Sequence, residues 1–185
     1  MKGLAVFGVL GVLALMLFVG YIGFGNTANQ HENGIKAQYK DNQNVYDNGW
    51  KEVKEKAQVP DMYTDDLKKV YDGVMRGRYG EKGSQALLQF IKEQNPQLSP
   101  ELYKQIQQSI ESFRKRFTQS QTELVARRQA YENFLTATYS GRFYNMVGGY
   151  PRINLTEYDI VTSEETERVF DQKKADELKL RPSDE

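Results

Sequence analysis

The sequence predicts an all-α protein with a single transmembrane helix at its N-terminus, and three observations indicate this. A run without any charged residue extends from Leu4 to Phe24. In the chain that follows, apolar and aromatic residues recur at steps of three and four, which is the spacing of a stripe along an α-helix. Signals typical of helix ends, such as the pair Ser99-Pro100, divide this polar chain into helical segments.

The charge-free run has the length of a membrane span, because at about 1.5 Å per residue it extends about 31 Å. A cleavable signal peptide is the alternative, but its apolar core would contain about 7 to 15 residues and end at small residues. Near the best cleavage candidate, Ala28, a position that should be small is occupied by Asn26. We therefore interpret residues 1–26 as a transmembrane anchor.

The basic residues that flank this anchor predict its orientation. Lys2 precedes the run, and no basic residue follows it before Lys36. Because Lys and Arg are enriched on the cytoplasmic side, we expect a cytoplasmic N-terminus and an extracytoplasmic body, on the periplasmic or cell-surface side. The absence of cysteine is compatible with export and excludes disulfides and thiolate chemistry.

The composition of the body limits its architecture and its partners. Roughly 160 residues follow the anchor, enough for one domain. Lys plus Arg equal Asp plus Glu at 25 each, so a nucleic acid partner is not expected. The mean hydropathy of −0.70 includes the anchor, and the body alone is therefore more polar. This favours long, thin helices with narrow apolar seams.

Two helical segments are predicted between the anchor and Ser99-Pro100. The first covers residues 29–57 and ends before Pro60. The second begins at Thr64, where two aspartates lie near the positive end of the helix dipole. It resumes after a glycine-rich stretch until Asn95-Pro96 stops it. The stripe of the first segment comprises Ile35, Tyr39, Asn42, Tyr46, Trp50, Val53 and Ala57.

One long helix is predicted from Ser99-Pro100 to Gly148-Gly149, where a serine cap and a glycine stop mark its two ends. Its heptad-like spacing favours a coiled-coil-like seam against partner helices. Beyond it we expect an extended stretch from Arg152 to Ile160, a short capped helix near Thr162 to Lys174 and a mobile charged tail. The seam residues are Tyr103, Ile106, Ile110, Phe113, Phe117, Leu124, Tyr131, Phe134 or Leu135, and Thr138.

Several of these features, in the same order, resemble the LemA family. A short membrane helix is followed by a tryptophan-containing helix, NQNVYDNGWKEVKEKAQVP, and later by TELVARRQAYENFL and Pro151. In the second stretch, Arg127-Arg128 and Tyr131 resemble the family's arginine-rich approach to a Tyr-Asn pair. The likeness covers most of residues 1–151. Glu132 stands where the family has asparagine, and AQVPDMYTDDL and RINLTEYD also depart from its pattern. These departures indicate a divergent member, and a phage or another mobile element is a candidate source.

The resemblance implies a fold but no biochemical activity. It implies a membrane-tethered, antiparallel bundle of three to four long helices. On this basis we assign residues 1–26 to the anchor, 27–151 to the LemA-like helical bundle and 152–185 to a C-terminal extension.

The single histidine, His31, is a poor candidate for a metal or catalytic site. A metal site needs further ligands at defined spacing, and the chain has neither cysteine nor a second histidine. A Ser-His-Asp triad needs a buried and oriented imidazole, whereas His31 follows the anchor directly. We therefore expect His31, whose neighbour is Glu32, to be a solvated residue.

Two carboxylate pairs and a glycine-rich stretch also have simpler explanations than catalysis. Asp65-Asp66 and Glu164-Glu165 are sequence neighbours, so their side chains point to different sides of a helix. Both pairs lie where predicted helices begin and complement the dipole there. The stretch from Gly77 to Gly83 lacks the Gly-Lys-Ser/Thr ending and the preceding strand of a phosphate loop. It is interpreted as a flexible helix break.

Two further patterns indicate contacts between helices. On the long helix, Arg114 and Arg128 are two heptads apart and share a face beside the seam. Snorkelling over the seam or ion pairing with another helix is expected of them, and a docking stripe for an acidic partner is the alternative. In the anchor, small residues recur every third position and permit close approach of another helix. They are Ala5, Gly8, Gly11 and Ala14.

The function predicted from these patterns is that of a non-enzymatic, membrane-anchored envelope protein that acts as a scaffold or interaction module. The alternative is a phage-type lysis or envelope-spanning factor, in which a membrane anchor and a helical rod reach towards a partner. An enzyme acting on cell wall or lipid is disfavoured, because no acid/base or nucleophile set converges. No catalytic, cofactor-binding or metal-binding residue and no cofactor are expected. The expected partners are the lipid bilayer, further copies of the chain in a homo-oligomer, and other envelope proteins.

Overall fold

The computed structural model describes residues 2–76, 83–137 and 139–162, together with residues 167, 171 and 172. Within these residues the chain forms helices and contains no strand, which confirms the predicted all-α class. Among the described residues, 3-10 turns occupy Asp61–Tyr63 and Leu155–Tyr158. The α-helices of the described part are α1 (Lys2–Ala57), α2 (Thr64–Met75), α3 (Gly83–Gln94), α4 (Pro100–Thr136) and α5 (Tyr139–Gly148).

Three predicted features fall wholly or mostly outside the described residues. These are the glycine-rich break, the helix near Thr162 to Lys174 with the pair Glu164-Glu165, and the tail that ends at Glu185.

The chain divides into two compact units. The first unit comprises Met1–Asn44 and Thr118–Ile160, and the second unit comprises Val45–Phe117 and Val161–Glu185. Helices α1 and α4 each contribute residues to both units. Every hydrophobic cluster described below lies within one unit.

Helix α1 is continuous from the charge-free run to Ala57, which corrects the prediction of a separate helix that starts at residue 29. The junction reads GNTAN and contains weak helix formers. However, Phe24, Ala28 and Ile35 are buried on one face of the helix. Packing of this face therefore maintains the helix where intrinsic propensity would not.

In the first unit, α1 and α4 run antiparallel. Gln38 on α1 contacts Ser120 on α4, whereas Phe24, fourteen residues earlier, stacks on Phe134, fourteen residues later. Residue numbers thus fall along one helix as they rise along the other. The antiparallel arrangement that was predicted for the bundle is present in this unit.

The second unit packs the end of α1, helices α2 and α3 and the first part of α4 around an aliphatic core. Helices α2 and α3 have 12 residues each, so they are shorter than the long helices that were predicted. The buried side chains of this core include Val53, Leu67, Tyr71, Val74, Leu87, Ile91, Ile106, Ile110, Phe113 and Phe117.

The apolar seam predicted on the long helix is confirmed for the residues that the structure describes. Phe113, Phe117 and Leu124 are buried, with exposed fractions of 3, 5 and 0%. The stripe predicted on residues 29–57 is likewise buried or half-buried along its whole length.

The predicted ends of the long helix are confirmed, but its continuity is not. The amide of Leu102 donates to Ser99 Oγ at 3.2 Å, which is the predicted serine cap. Gly149 adopts φ +64° directly after α5, as expected of a glycine stop. Between these points α4 ends at Thr136 and α5 begins at Tyr139. The single helix predicted here is therefore two helices.

Candidate functional site

The first part of α1 forms a large apolar surface that no other part of the described chain covers. The large aliphatic side chains and phenylalanines from Val6 to Ile22 on this helix are 46 to 76% exposed, whereas Tyr21 is half-buried. Among the described residues, α1 is the one helix long and apolar enough to cross a membrane, and its most apolar window has a mean hydropathy of 2.4. The prediction of a candidate membrane-crossing helix near the N-terminus is confirmed at this level.

An aromatic cluster lies where this apolar surface ends. The ring of Phe24 stacks on Phe134 at a centroid distance of 4.7 Å and an angle of 18°. It also meets Tyr144 at 5.7 Å and the edge of Tyr150 at 5.6 Å. Such offset and edge contacts stabilise by about 0.5 to 1.5 kcal/mol each beyond their buried area. The cluster therefore joins α1, α4, α5 and the chain after α5 at one level of the first unit.

Two glycines permit the close packing of this cluster. A Cβ at Gly20 would overlap the hydroxyl of Tyr144, and a Cβ at Gly148 would lie 2.8 Å from the ring of Tyr150. Any side chain at either position would have to displace an aromatic ring. The prediction of a helix-association strip in the apolar run did not include Gly20, and this glycine packs against the chain's own α5.

Two turns after Phe24 on α1, Glu32 is buried with 5% of its surface exposed. Its Oε1 accepts a hydrogen bond from the Tyr131 hydroxyl at 2.6 Å and from the Arg152 amide at 2.7 Å. A buried carboxylate is costly without such partners. Glu32 therefore holds α4 and the segment after Pro151 against α1, a role that the sequence analysis did not assign to it.

The same contacts keep Tyr131 in its neutral form. Burial raises the pKa of Tyr131 well above its ordinary value of 10.0, and the hydrogen bond to the Glu32 carboxylate raises it further. A neutral phenol is a donor, so Tyr131 donates to Glu32 throughout the physiological range.

His31 is half-buried, which corrects the expectation that it is solvated. Its ring stacks on Tyr131 at 5.6 Å and contacts Phe134 at 5.2 Å. No cluster of three or more potential metal ligands occurs in the described part of the chain. The imidazole therefore packs against Tyr131, the residue that donates a hydrogen bond to Glu32.

The two arginines of α4 that were predicted to pair with another helix have partners, but the ion-pair partner of Arg128 lies in the segment after α5 rather than on a helix. Arg128 forms an ion pair with Asp159 at 2.7 Å and donates to the Tyr158 carbonyl at 3.3 Å. In the second unit, Arg114 donates to Ser84 Oγ on α3 at 3.3 Å. A docking stripe on this face is disfavoured by these internal contacts.

A polar cluster crosses the α1–α4 seam of the first unit. Ser120 is buried, and its hydroxyl accepts from Gln38 Nε2 at 3.0 Å and donates to Asp41 Oδ2 at 3.1 Å. The side chains of Asn42 and Ser120 are also hydrogen-bonded. These bonds satisfy the polar groups of the seam and fix the register of the two helices.

The second unit contains an aromatic cage that is filled by its own lysine. Lys68 Nζ lies 4.8, 5.2 and 5.4 Å from the ring centroids of Tyr46, Trp50 and Tyr71. It also pairs with Asp72, which accepts from the Tyr46 hydroxyl. Burial raises the pKa of both tyrosines above 10.0. Cages of this type bind ammonium groups, and here an internal cation occupies the position.

A polar contact also joins α1 and α4 in the second unit. Glu52 accepts from Lys56 Nζ and from the Ser109 hydroxyl, each at 2.7 Å. The hydrogen bond from Lys56 has the largest effect on the pKa of the Glu52 carboxyl and lowers it, and the hydrogen bond from Ser109 lowers it further.

The pair Asp65-Asp66 lies in the first turn of α2, where it was predicted to complement the dipole.

These arrangements are those of a packed scaffold. The buried polar residues Glu32, Asn42, Ser84, Ser109 and Ser120 each form a hydrogen bond with a residue of another helix. Two exposed apolar features remain, namely the surface of α1 and the face of α5 that lies beside the aromatic cluster. Sequence analysis missed this second feature because the helical spacing continues through residues 137–138 and gives no sign of a break there.

Comparison of the chain with protein-family models, with curated proteins and with solved structures gave no match.

Proposed function

We propose that this protein is a non-enzymatic, membrane-anchored helical protein of the cell envelope that acts as a scaffold or interaction module. Residues 1–26 anchor it in the bilayer, and the helical body is presented beside the membrane. The kinship to the LemA family that the sequence suggested remains part of this proposal.

One observation carries the proposal most directly, namely the continuity of α1. The exposed apolar surface of the helix leads without a break into a face that is buried in the first unit through Phe24, Ala28 and Ile35. A flexible tether would leave the body free to turn, whereas a continuous helix positions the body relative to the bilayer. Positioning of a surface is what a scaffold requires.

Membrane extraction tests the anchor. The double variant Leu13→Arg/Leu17→Arg places two charges in the middle of the apolar run, and each costs about 3 to 4 kcal/mol of insertion free energy on translocon scales. We expect the native chain to stay in the membrane pellet after carbonate washing and the double variant to be released. The control is Val125→Arg, since Val125 is an exposed residue of α4 outside the apolar run. Release of the native chain, or release of the control alone, would contradict the anchor.

The absence of cysteine offers a direct test of orientation. Gln129→Cys places a thiol on an exposed position of α4, and Gly3→Cys places one before the apolar run. With an N-terminus in the cytoplasm, a membrane-impermeant maleimide should label only the Gln129→Cys protein in intact spheroplasts. After membrane rupture it should label both proteins. The reverse pattern would reverse the orientation.

The proposal includes self-association in the membrane. Anchoring confines the copies to two dimensions and raises their effective concentration, so weak lateral contacts suffice. Around Gly8 and Gly11 the chain itself leaves open space, into which a neighbouring helix fits. Light scattering coupled to size exclusion in mild detergent should give a protein mass above that of one 21.4 kDa chain. A mass of one chain, unchanged in lipid nanodiscs, would rule this out.

A growth experiment separates the scaffold from the predicted alternative of a lysis factor. Induced expression of a scaffold is tolerated. Loss of envelope integrity on induction, absent in the Leu13→Arg/Leu17→Arg variant, would favour the lysis or envelope-spanning function instead.

A further inference from the structure

Helix α5 lies beside the end of the apolar run of α1. Tyr144 packs onto Gly20, and its ring lies 6.4 Å from Tyr21 and 5.7 Å from Phe24. These three residues form the last turns of the charge-free run. Where α1 leaves the hydrocarbon of a membrane, α5 is therefore at the same level.

The outward face of α5 is apolar. Phe143, Met146 and Val147 are 47, 78 and 59% exposed, while Tyr144 on the inner side is half-buried. The three exposed residues follow one another at steps of three and one, which places them on one side of a helix. The only charged residue within α5 is Arg142. Such a surface is unfavourable in water and continues the exposed apolar surface of α1.

The groups around this face have the composition of a membrane interface. Tyrosines are enriched at the level of the lipid headgroups, where the ring is apolar and the hydroxyl is wet. Tyr21, Tyr144 and Tyr150 all lie in the cluster between α1 and α5. Arg142 and Arg152 are exposed beside it, and cations of this type pair with lipid phosphates.

From this continuity we infer that α5 is an interfacial helix, which lies on the lipid surface with Phe143, Met146 and Val147 inserted at the boundary of headgroups and acyl chains. The leaflet is the one in which the apolar run of α1 ends. The inference rests on the proposed membrane anchor. A protein partner is a poorer occupant, because a stable interface needs about 20 to 30 residues on each side and α5 offers three apolar side chains.

Spin labels on single cysteines test the inference on the full chain reconstituted into phosphatidylcholine vesicles with a minor share of phosphatidylglycerol. Met146→Cys and Val147→Cys report on α5, and two independent positions protect against one misfolded variant. Val12→Cys reports on the middle of the apolar run, and Val125→Cys on an exposed site of α4. The readout is the collision rate with oxygen, which concentrates in lipid, relative to that with a water-soluble nickel chelate.

We expect oxygen collisions to exceed nickel collisions severalfold at positions 146 and 147, less strongly than at position 12, and the reverse order at position 125. A lipid signal at position 12 with an aqueous signal at both α5 positions would overturn this inference and leave the anchor intact. An aqueous signal at position 12 would instead overturn the proposed anchor. Low collision rates with both oxygen and the nickel chelate at positions 146 and 147 would show a protein contact there and would also overturn the inference.

Discussion

The two units of the protein bury their cores with different chemistry. In the second unit the core is mainly aliphatic, with side chains such as Leu67, Leu87 and Ile106. In the first unit about half of the core side chains are aromatic, and the carboxylate of Glu32 is buried beside them. An aliphatic core is stabilised by the area removed from water and tolerates side chains of similar volume. A buried carboxylate needs its particular donors, so the first unit depends on a few specific contacts.

The two units also differ in the sequence separation between the residues whose hydrogen bonds hold them together. The donors to Glu32 are Tyr131 and Arg152, which lie 99 and 120 positions later in the sequence. In the second unit the corresponding polar contacts of Tyr46 and Glu52 span 26 and 57 positions. Closing a longer loop costs more chain entropy before the contact forms. The first unit is therefore the one that requires the chain after α5.

The largest effect is expected from Phe117→Ala in the second unit. Phe117 is buried and contacts the ring of Tyr46 at 5.5 Å. Its truncation should lower the free energy of unfolding by about 3 to 5 kcal/mol, since it leaves a cavity. Phe117→Leu should cost less than half of that, because an aliphatic core tolerates it. Denaturant unfolding followed by circular dichroism measures both values.

The matched control for Phe117 is Lys115→Ala, which removes an exposed side chain of the same helix. Little change is expected from it. Equal losses for Phe117→Ala and Lys115→Ala would mean that the seam of α4 has been assigned to the wrong face.

Glu32→Ala should destabilise the first unit by roughly 2 to 4 kcal/mol, because it leaves the Tyr131 hydroxyl and the Arg152 amide without their acceptor. Hydrogen exchange measured by mass spectrometry should rise most in the segment after Pro151. Glu132→Ala, at an exposed neighbour of Tyr131, is the control and should leave exchange unchanged. If exchange in the segment after Pro151 is unaffected by Glu32→Ala, the carboxylate does not hold it.

Alkaline pH should destabilise both units, through Tyr131 in the first and Tyr46 and Tyr71 in the second. Burial raises the pKa of each above 10.0 in the folded chain. Above about pH 10 the unfolded chain releases protons that the folded chain retains, so stability falls as pH rises and is unaffected below that value. Each tyrosine contributes a loss of stability of up to about 1.4 kcal/mol for each pH unit.

Urea midpoints at about pH 9 and about pH 11 measure this slope. Tyr131→Phe removes the contribution of the first unit, so its midpoint should fall less steeply than that of the native chain. An identical slope in the two proteins would show that Tyr131 titrates like a solvated phenol.

The smallest effects are expected at the helix caps. Ser99→Ala removes the acceptor for the Leu102 amide and should cost about 1 kcal/mol. In the first unit, Asn154 accepts from the Thr156 amide at the start of a 3-10 turn. Asn154→Ala should affect only that turn and should be visible in hydrogen exchange rather than in the unfolding midpoint. A larger global loss from Asn154→Ala than from Ser99→Ala would reverse the order.

Local signals in the sequence were sufficient for the helices and their buried faces. The seam from Tyr103 to Leu135 follows from spacing alone, and the serine cap and glycine stop follow from the backbone needs of helix ends. These features depend on residues within a few positions of one another, which is why a single sequence reveals them.

Features that depend on distant partners were missed. The burial of Glu32 cannot be inferred from its neighbours, because its donors follow about a hundred positions later. The junction after Phe24 has weak helix formers, and its packing against α4, α5 and Tyr150 keeps it helical. The break between α4 and α5 leaves the apolar spacing intact, so periodicity alone does not reveal it.

Because α1 is uninterrupted, the junction between Phe24 and Ala28 fixes the angle about the helix axis between the apolar run and the buried stripe. An α-helix turns about 100° with each residue, so one residue inserted here would rotate the buried stripe by that angle about the helix axis, relative to the apolar run. Gly20 would then no longer face Tyr144 while Ile35 faces α4. A helical insertion of seven residues nearly restores the azimuth and lengthens the helix by about 10 Å. That lengthening would also carry Gly20 about 10 Å away from Tyr144 along the helix axis, so the length of this junction is constrained by distance as well as by angle.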